Sequence, residues 1–231
     1  MRLPAALLVL AACTMPPPPK HVATTPAPHV EAAERTAVLA DRAHLAEAPL
    51  ILLGDSITEQ WETAGARVFA ERLAPRQALD LGVSGDRTEH LLWRLKSGEY
   101  DHLPVRVAVV LIGSNNLGTR QTPQQTADGV HAVLDDVLAR WPHSQVLLLA
   151  IFPRGLQTDD PLRLAVEQTN RLLREVANRD RVTWLDFGSV FLAADGTLTP
   201  EIMPDALHLS ETGYVMWAAE MLPVLDPLLA P

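Results

Sequence analysis

The stretch LILLGDS, residues 50–56, places an apolar run directly before a glycine, an aspartate and a serine. A short run of this hydrophobicity predicts a strand that is covered on both faces within a parallel sheet. The serine could cap a following helix, because its hydroxyl can accept a hydrogen bond from a free N–H of the first turn. It could instead be a nucleophile held at the carboxyl end of the strand. The remaining motifs of the sequence distinguish these two interpretations.

Four more apolar runs follow the first, separated by segments in which apolar residues recur at helical spacing. The predicted strands are residues 50–53, 78–83, 106–112, 145–152 and 181–187. The predicted helices are residues 31–48, 86–97, 123–141, 161–177 and 210–229. Strands that alternate with helices predict an α/β fold built on a parallel sheet.

The size and charge of the chain limit its architecture and its partners. A chain of 231 residues with 48% hydrophobic residues can bury one substantial core and leaves little room for two, so we expect one domain. The formal net charge of −9 argues against nucleic-acid binding, because that requires a basic surface that displaces counterions from phosphates. Anionic polymers are therefore poor candidate partners.

The N-terminal residues have the composition of an export signal. Residues 1–12 place Arg2 before an apolar run that is too short to cross a bilayer as a mature helix. The Pro-rich residues 13–30 predict an extended tether without apolar periodicity, and the domain is expected over residues 31–231.

The single cysteine, Cys13, ends the stretch LAAC. This stretch resembles the bacterial lipobox, in which the cysteine is lipidated and becomes the first mature residue. Acyl chains on Cys13 would hold the protein at a membrane surface without a transmembrane helix. Thr14 stands where an aspartate would mark inner-membrane retention, so the resemblance implies a lipid anchor at the cell envelope, in the outer membrane of a Gram-negative source. No intramolecular disulfide is possible with one cysteine.

Small polar residues follow each predicted strand. These loops contain GDS after the first strand, Gly82 after the second, GSNNLG (113–118) after the third, PRG (153–155) after the fourth, and MPDALHLS (203–210) after the fifth. Because ligands of open α/β sheets bind outside the carboxyl ends of the strands, we expect these loops to form one site.

The residue types in these loops match the requirements of ester cleavage, which are an activated hydroxyl, a base, a group that orients the base, and donors for the oxyanion. Ser56 can supply the hydroxyl, His208 the base and Asp205 the orienting carboxylate. Asp205 precedes His208 by three positions, so one helical turn would present both on nearly the same side. The backbone N–H groups of Ser56 and Gly82 and the side-chain amide of Asn115 are candidate oxyanion donors.

The motifs GDSITEQW, LGVSGDRT, GSNN and DALH resemble those of the SGNH hydrolases, also called GDSL esterases and lipases. The four marker residues of that family match Ser56, Gly82, Asn115 and His208. The motifs are most similar to the branch that contains the platelet-activating-factor acetylhydrolase Ib catalytic subunits. Asn116 stands where the commoner family form has aspartate, and this branch shares the asparagine.

The resemblance implies a three-layer α/β/α sandwich around a five-stranded parallel sheet with the flavodoxin-like SGNH hydrolase fold. It implies an acyl-serine intermediate, no metal or other cofactor, and a homodimer. The positions that match the acyl pocket of this branch are Ile57, Ser114 and Leu207, which would suit an acetyl group. The expected substrate is accordingly a small ester or an acetylated carbohydrate.

Two other functions and the roles of several polar residues stay open at this point. The same triad could serve a lipase or lysophospholipase for longer acyl chains, and the domain could be a non-catalytic envelope lipoprotein that binds acetylated glycans. His131 and Asp135 have the spacing of a metal-ligand pair, but no third ligand is apparent in the sequence. Arg154 could guide the substrate or close its loop by hydrogen bonding.

Overall fold

A computed structural model describes residues 17–230 of the chain. The predicted signal, residues 1–12, and Cys13 lie outside the described residues. The strands are β1 Leu50–Gly54, β2 Ala78–Gly82, β3 Val107–Leu111, β4 Gln145–Leu149 and β5 Val182–Leu185. The helices are α1 Ala33–His44, α2 Ser56–Glu59, α3 Ala66–Val68, α4 Thr88–Lys96, α5 Ser114–Gly118, α6 Pro123–Arg140, α7 Pro161–Val176 and α8 Glu211–Leu229.

The five strands form one parallel sheet in the order β2-β1-β3-β4-β5. Leu50 is in register with Ala78 on one side and with Val107 on the other, so β1 lies between β2 and β3. The chain changes direction across the sheet at this point, which makes the carboxyl ends of β1 and β3 the topological switch point. Ser56 follows β1 and Asn115 follows β3, so both lie at the position where this fold binds ligands.

Side chains that alternate along the strands divide the core into two layers. Ile51 and Leu53 of β1 pack in one layer, and Leu50 and Leu52 pack in the other. The first layer also contains apolar residues of α1, α4, α6 and α7, and the second contains those of α2 and α8. The structure therefore confirms the three-layer α/β/α sandwich.

The closing helix α8 continues through Pro223 and Pro227. Tyr214 and Trp217 on its buried face pack against Trp61, with ring centroids 4.5 and 4.8 Å apart. Packing on this scale offsets the backbone hydrogen bonds that the prolines remove. Among residues 17–230, no helix combines the length and the apolar composition that a membrane crossing would need.

The Pro-rich segment differs from the predicted tether. Residues 21–30 lie against the domain instead of extending away from it, and Ala23 is fully buried. The hydroxyl of Thr88 donates to the Ala23 carbonyl at 2.8 Å, and the Ala27 N–H donates to the Glu89 carbonyl at 3.1 Å. These contacts use the backbone of the segment, so apolar periodicity could not predict them. We call residues 21–30 the N-terminal clasp.

Candidate active site

The turn between β1 and α2 determines whether Ser56 caps the helix or is free for another partner. Asp55 caps α2, because its Oδ1 accepts a hydrogen bond from the Ile57 N–H at 3.0 Å. Ser56 is therefore not the cap, and its hydroxyl is available for another partner. The turn needs glycine before Asp55, since a Cβ on Gly54 would lie 2.0 Å from the Thr58 Oγ1 and 2.5 Å from the Leu111 carbonyl oxygen.

The partner of the Ser56 hydroxyl is His208. The Ser56 Oγ lies 2.9 Å from the His208 Nε2, and the His208 Nδ1 lies 2.6 Å from the Asp205 Oδ2. The three side chains, predicted from two motifs far apart in sequence, are therefore connected by two hydrogen bonds. Asp205 is the most exposed of them, with 56% of its side chain accessible, against 27% for His208.

The turn that contains Asp205 orients its carboxylate. The second oxygen, Oδ1, accepts hydrogen bonds from the backbone N–H groups of Leu207 at 3.1 Å and His208 at 2.7 Å. Partial burial opposes ionisation of Asp205, but the hydrogen bonds from the His208 side chain and backbone outweigh it and hold the pKa of Asp205 below its usual value. The carboxylate is therefore ionised at neutral pH and can stabilise an imidazolium.

Asp55 is a buried carboxyl group at the same site. Its side chain is 1% exposed, and burial raises its pKa to about 7, with a further increase from Asp86 and opposing effects of the Ile57 N–H, His208 and Arg154. A pKa near 7 means that Asp55 changes charge near neutral pH, directly beside Ser56.

Asn115 lies at the start of α5 with its amide fixed. Its Nδ2 donates to the Asp86 carbonyl at 3.0 Å. An amide nitrogen carries two hydrogens, so the second one stays available for an oxyanion. The Ser56 N–H also has no hydrogen-bond partner among the described residues. Two of the three predicted oxyanion donors are therefore available.

The structure contradicts the third predicted donor, the N–H of Gly82. This group donates to the Asp80 Oδ1 at 2.7 Å and is buried at the end of β2. Gly82 serves packing, because a Cβ at this position would lie 2.2 Å from the backbone nitrogen of Glu59. The glycine thus allows α2 to pack directly against β2.

The loop after β2 offers a different donor. The N–H groups of Val83 and Asp86 donate to the carbonyls of Gly54 and Val83, and the Ser84 N–H donates to the Glu59 carboxylate. In the loop of residues 82–86, Gly85 alone has an N–H with no partner among the described residues. Gly85 directly precedes Asp86, whose carbonyl holds Asn115.

The residues predicted to line the acyl pocket are mostly enclosed. Ile57 is 2% exposed and belongs to the core layer beneath the site, and Ser114 is 3% exposed. Leu207, beside His208, is the partly accessible member of the set. Two surface clefts of about 590 and 730 Å³ lie elsewhere and contain none of the three residues nor Ser56.

Two arginines organise the loops around the site. The Arg154 guanidinium donates to the Ser114 carbonyl at 2.9 Å and to its hydroxyl at 3.2 Å, so Arg154 does close its loop by hydrogen bonding. Arg163 of α7 is 2% exposed and donates to the carbonyls of Arg154, Gly155 and Gly196. The sequence gives no signal for Arg163, which lies on the buried face of α7 together with Val166 and Leu173.

One cluster of metal-ligand side chains occurs among the described residues, formed by His29, Asp86 and His90 within 4.8 Å of one another. The two imidazole rings stack with centroids 4.4 Å apart and planes 22° apart, and the His29 Nδ1 lies 2.9 Å from the Asp86 Oδ1. The Arg94 Nε already donates to the Asp86 Oδ2 at 2.9 Å. The cluster therefore fits a hydrogen-bonded assembly better than a cation site. His131 and Asp135 are 3.6 Å apart, outside this cluster.

Comparisons with known proteins agree with this geometry. The family described as GDSL-like Lipase/Acylhydrolase matches residues 52–216 of the chain. The human platelet-activating factor acetylhydrolase IB subunit alpha1 is 37% identical over 169 residues, which are 73% of this chain and 71% of the human protein.

Solved structures share the fold at lower identity. A GDSL-like lipase from Bacteroides thetaiotaomicron has a TM-score of 0.68 at 16% identity, over 86% of this chain and 97% of the other. The acetylxylan esterase Axe2 from Geobacillus stearothermophilus has a TM-score of 0.61 at 16% identity, over 77% of this chain and 94% of the other. The family match over residues 52–216 covers most of the domain and includes Ser56, Asn115 and His208. The chain therefore belongs to the GDSL-like lipase/acylhydrolase family of SGNH hydrolases and is a carboxylic ester hydrolase.

Proposed function

We propose that the chain is a serine esterase for short-chain, principally acetyl, esters, with a triad of Ser56, His208 and Asp205. The observation that carries the proposal is the pair of hydrogen bonds of 2.9 Å from Ser56 to His208 and 2.6 Å from His208 to Asp205. Both distances lie within the range of a nucleophile activated by an oriented base.

The reaction has two halves in this proposal. The Ser56 Oγ attacks the ester carbonyl carbon while its proton passes to the His208 Nε2, and the Asp205 carboxylate stabilises the resulting imidazolium. The tetrahedral intermediate then loses its alkoxide, which takes the proton from His208 and leaves as an alcohol. Water next attacks the acyl-serine, His208 accepts its proton and returns a proton to Ser56, and a carboxylic acid is released.

The oxyanion is assigned to the N–H groups of Ser56 and Gly85 and to the free hydrogen of the Asn115 amide. The availability of these donors supports the assignment, since the Gly82 N–H is engaged by Asp80. A crystal structure of the fluorophosphonate-inhibited chain tests it. The phosphoryl oxygen should lie within about 3.1 Å of all three nitrogens. An oxygen bound by Gly82 instead would overturn the assignment.

The preference for a short acyl chain is supported by the enclosed positions of Ile57 and Ser114 beside Ser56 and Asn115. The names of the relatives, a platelet-activating factor acetylhydrolase subunit and an acetylxylan esterase, both refer to acetyl groups. We infer that the substrate is a small acetyl ester or an acetylated carbohydrate. A lipase for longer chains would need a wider opening beside Leu207.

Hydrolysis of p-nitrophenyl acetate, butyrate and octanoate by the full chain tests the proposal. Turnover should be fastest with acetate and should disappear in Ser56→Ala and His208→Ala. Ser189→Ala is the matched control, because Ser189 is an exposed serine outside the loops that carry Ser56, Gly85 and His208, and this variant should keep wild-type turnover. Preference for octanoate would favour the lipase alternative, and equal turnover in Ser56→Ala would refute the triad.

We further propose, from the sequence of residues 1–13, that the protein is exported and anchored to the cell envelope through a lipid on Cys13. Cys13→Ser should move the protein from the membrane fraction to the soluble fraction, and mass spectrometry of the wild type should find the acyl mass on residue 13. Soluble wild-type protein would contradict the anchor. The resemblance to acetylhydrolase subunits also suggests a homodimer, which light scattering of the purified chain tests.

A further inference from the structure

The N-terminal clasp contacts the one loop that fixes the Asn115 amide. The His29 Nδ1 lies 2.9 Å from the Asp86 Oδ1, and the backbone carbonyl of that same aspartate accepts the hydrogen bond from Asn115 at 3.0 Å. Asp86 has no exposed side-chain surface, and its other carboxylate oxygen is held by Arg94. His29 therefore completes the fixation of the residue that orients Asn115.

A second contact of the clasp reaches the neighbouring residue, Asn116. The Thr88 hydroxyl donates to the Ala23 carbonyl of the clasp and accepts from the Asn116 Nδ2 at 2.9 Å. The Thr88 N–H donates to the Asn116 Oδ1 at 3.1 Å. The clasp thus contacts Asp86, which holds Asn115, and Thr88, which holds Asn116, at the start of α5.

Helix α6 packs closely beneath the clasp and Thr88. Gly129 of α6 lies where a Cβ would be 2.2 Å from the Thr88 Oγ1 and 2.9 Å from the Ala23 carbonyl oxygen. The glycine is therefore needed for the close approach of α6, Thr88 and the clasp. At the other end, the His21 Nε2 lies 3.0 Å from the Asp128 Oδ2 of α6.

We propose that the N-terminal clasp holds the oxyanion hole in its active geometry, with His29 as a positioning residue that acts through Asp86 on Asn115. This inference rests on the proposed role of Asn115 in the esterase. Loss of the His29 donor leaves a buried carboxylate oxygen without one partner, so the loop of residues 82–88 gains alternative positions. A donor that is displaced by a fraction of an ångström stabilises the transition state less.

Kinetics of His29 variants in the full chain test the proposal. His29→Ala should lower kcat about 10-fold with little change in KM, a fraction of the roughly 100-fold or greater loss that follows deletion of an oxyanion donor. His29→Asn should restore kcat, because the asparagine Nδ2 can donate from a position close to that of the imidazole Nδ1. The matched control is His44→Ala, since His44 pairs with Glu99 at 3.0 Å on the surface and not with Asp86.

A double-mutant cycle separates positioning from general stability. If His29 acts through Asn115, His29→Ala should have no further effect on kcat in an Asn115→Ala background. Multiplicative effects of the two substitutions would overturn the proposal, as would wild-type kcat in His29→Ala.

Amide hydrogen exchange provides a readout that does not depend on turnover. His29→Ala should accelerate exchange in residues 82–90 and 113–118, and His44→Ala should not. Unchanged exchange in both segments would overturn the clasp proposal even if the esterase assignment holds. Turnover that does not depend on Ser56 would refute the proposed function and, with it, the role of the clasp in an oxyanion hole, whatever the exchange rates.

Discussion

The hydroxyl of Tyr214 donates a hydrogen bond of 2.6 Å to the backbone carbonyl of Ile57. Tyr214 belongs to α8, and Ile57 directly follows Ser56 in α2, 157 residues away in sequence. The closing helix therefore fixes the position of the turn that presents Ser56.

Tyr214→Phe should lower the free energy of unfolding by about 1–3 kcal/mol, because the substitution leaves a buried carbonyl without its donor and changes little else. Urea denaturation measures this effect. We also expect a lower kcat at temperatures well below the unfolding transition, since the Ser56 turn loses a constraint. An unchanged unfolding free energy would contradict the importance of this bond.

The buried carboxyl group of Asp80 should make the stability of the fold depend on pH. Burial raises its pKa to about 7, opposed by the hydrogen bond from the Gly82 N–H, and its Oδ2 has no partner among the described residues. Because the folded pKa exceeds the unfolded value of 3.8, the folded state binds more protons between these pH values, and stability falls as pH rises from about 4 to 7.

Asp80→Asn should remove this loss while keeping an oxygen that accepts from Gly82. The stability of the variant relative to wild type should increase with pH by up to about 1.4 kcal/mol per unit between pH 5 and 7. Urea denaturation at several pH values measures it. A slope should persist in the variant, since burial also raises the pKa of Asp55 to about 7. Asp195→Asn is the control, because the pKa of this exposed aspartate is lowered by hydrogen bonds from Thr197 and its ionisation is complete above pH 5.

Replacing Asp205 with asparagine should lower kcat more than replacing it with alanine. An asparagine amide can donate to the His208 Nδ1 and so favour the tautomer that has a hydrogen on Nε2, which cannot accept the Ser56 proton. We expect kcat to fall about 10- to 100-fold in Asp205→Asn, less than the ~10,000-fold loss for a buried triad aspartate, because water partly replaces an exposed carboxylate. Steady-state kinetics of Asp205→Asn and Asp205→Ala measure which variant has the lower kcat.

Glu201→Gln controls for the loss of a carboxylate from the same loop, since Glu201 is exposed and lies outside the triad. It should leave kcat unchanged. A kcat for Asp205→Asn equal to or above that of Asp205→Ala would refute the tautomer argument.

The contacts of Asn116 explain why this position has asparagine and not the aspartate of the commoner family motif. Its Nδ2 donates to the Glu89 Oε2 at 3.1 Å, and the Glu89 side chain is 1% exposed. Asn116→Asp would place two carboxylates in contact in a buried position and should destabilise the fold by roughly 3 kcal/mol. Glu89→Gln should rescue Asn116→Asp, since a glutamine amide can donate to the new carboxylate. Thermal unfolding of the single and double variants measures this, and additive destabilisation would contradict it.

The sequence was sufficient to predict the sheet and the residues that lie at its carboxyl edge. Continuous apolar runs predicted all five strands to within three residues at each boundary, as for residues 106–112 and the observed Val107–Leu111. The alternation of strands and helices predicted the parallel sheet, and the position of the loops placed Ser56, Asn115 and His208 at one edge. These features depend on local hydrophobicity and on the general rules of parallel sheets.

Features that depend on single polar contacts could not be predicted. The bond between Asp80 and the Gly82 N–H requires the side-chain rotamer of Asp80, which no pattern specifies. The packing of the N-terminal clasp depends on a glycine in α6 and on a hydroxyl of Thr88, 65 residues from its acceptor Ala23. A Pro-rich stretch without periodicity gives no indication of such contacts.

The clasp also limits the geometry of the proposed lipid anchor. Among the described residues, the first side chain that bonds to the domain is His21, and residues 14–20 between it and a lipid on Cys13 can span no more than about 30 Å. A domain of this size is wider than that reach. The anchored enzyme would thus be held against the bilayer with restricted rotation, and its catalytic edge would sample esters in the layer next to the membrane.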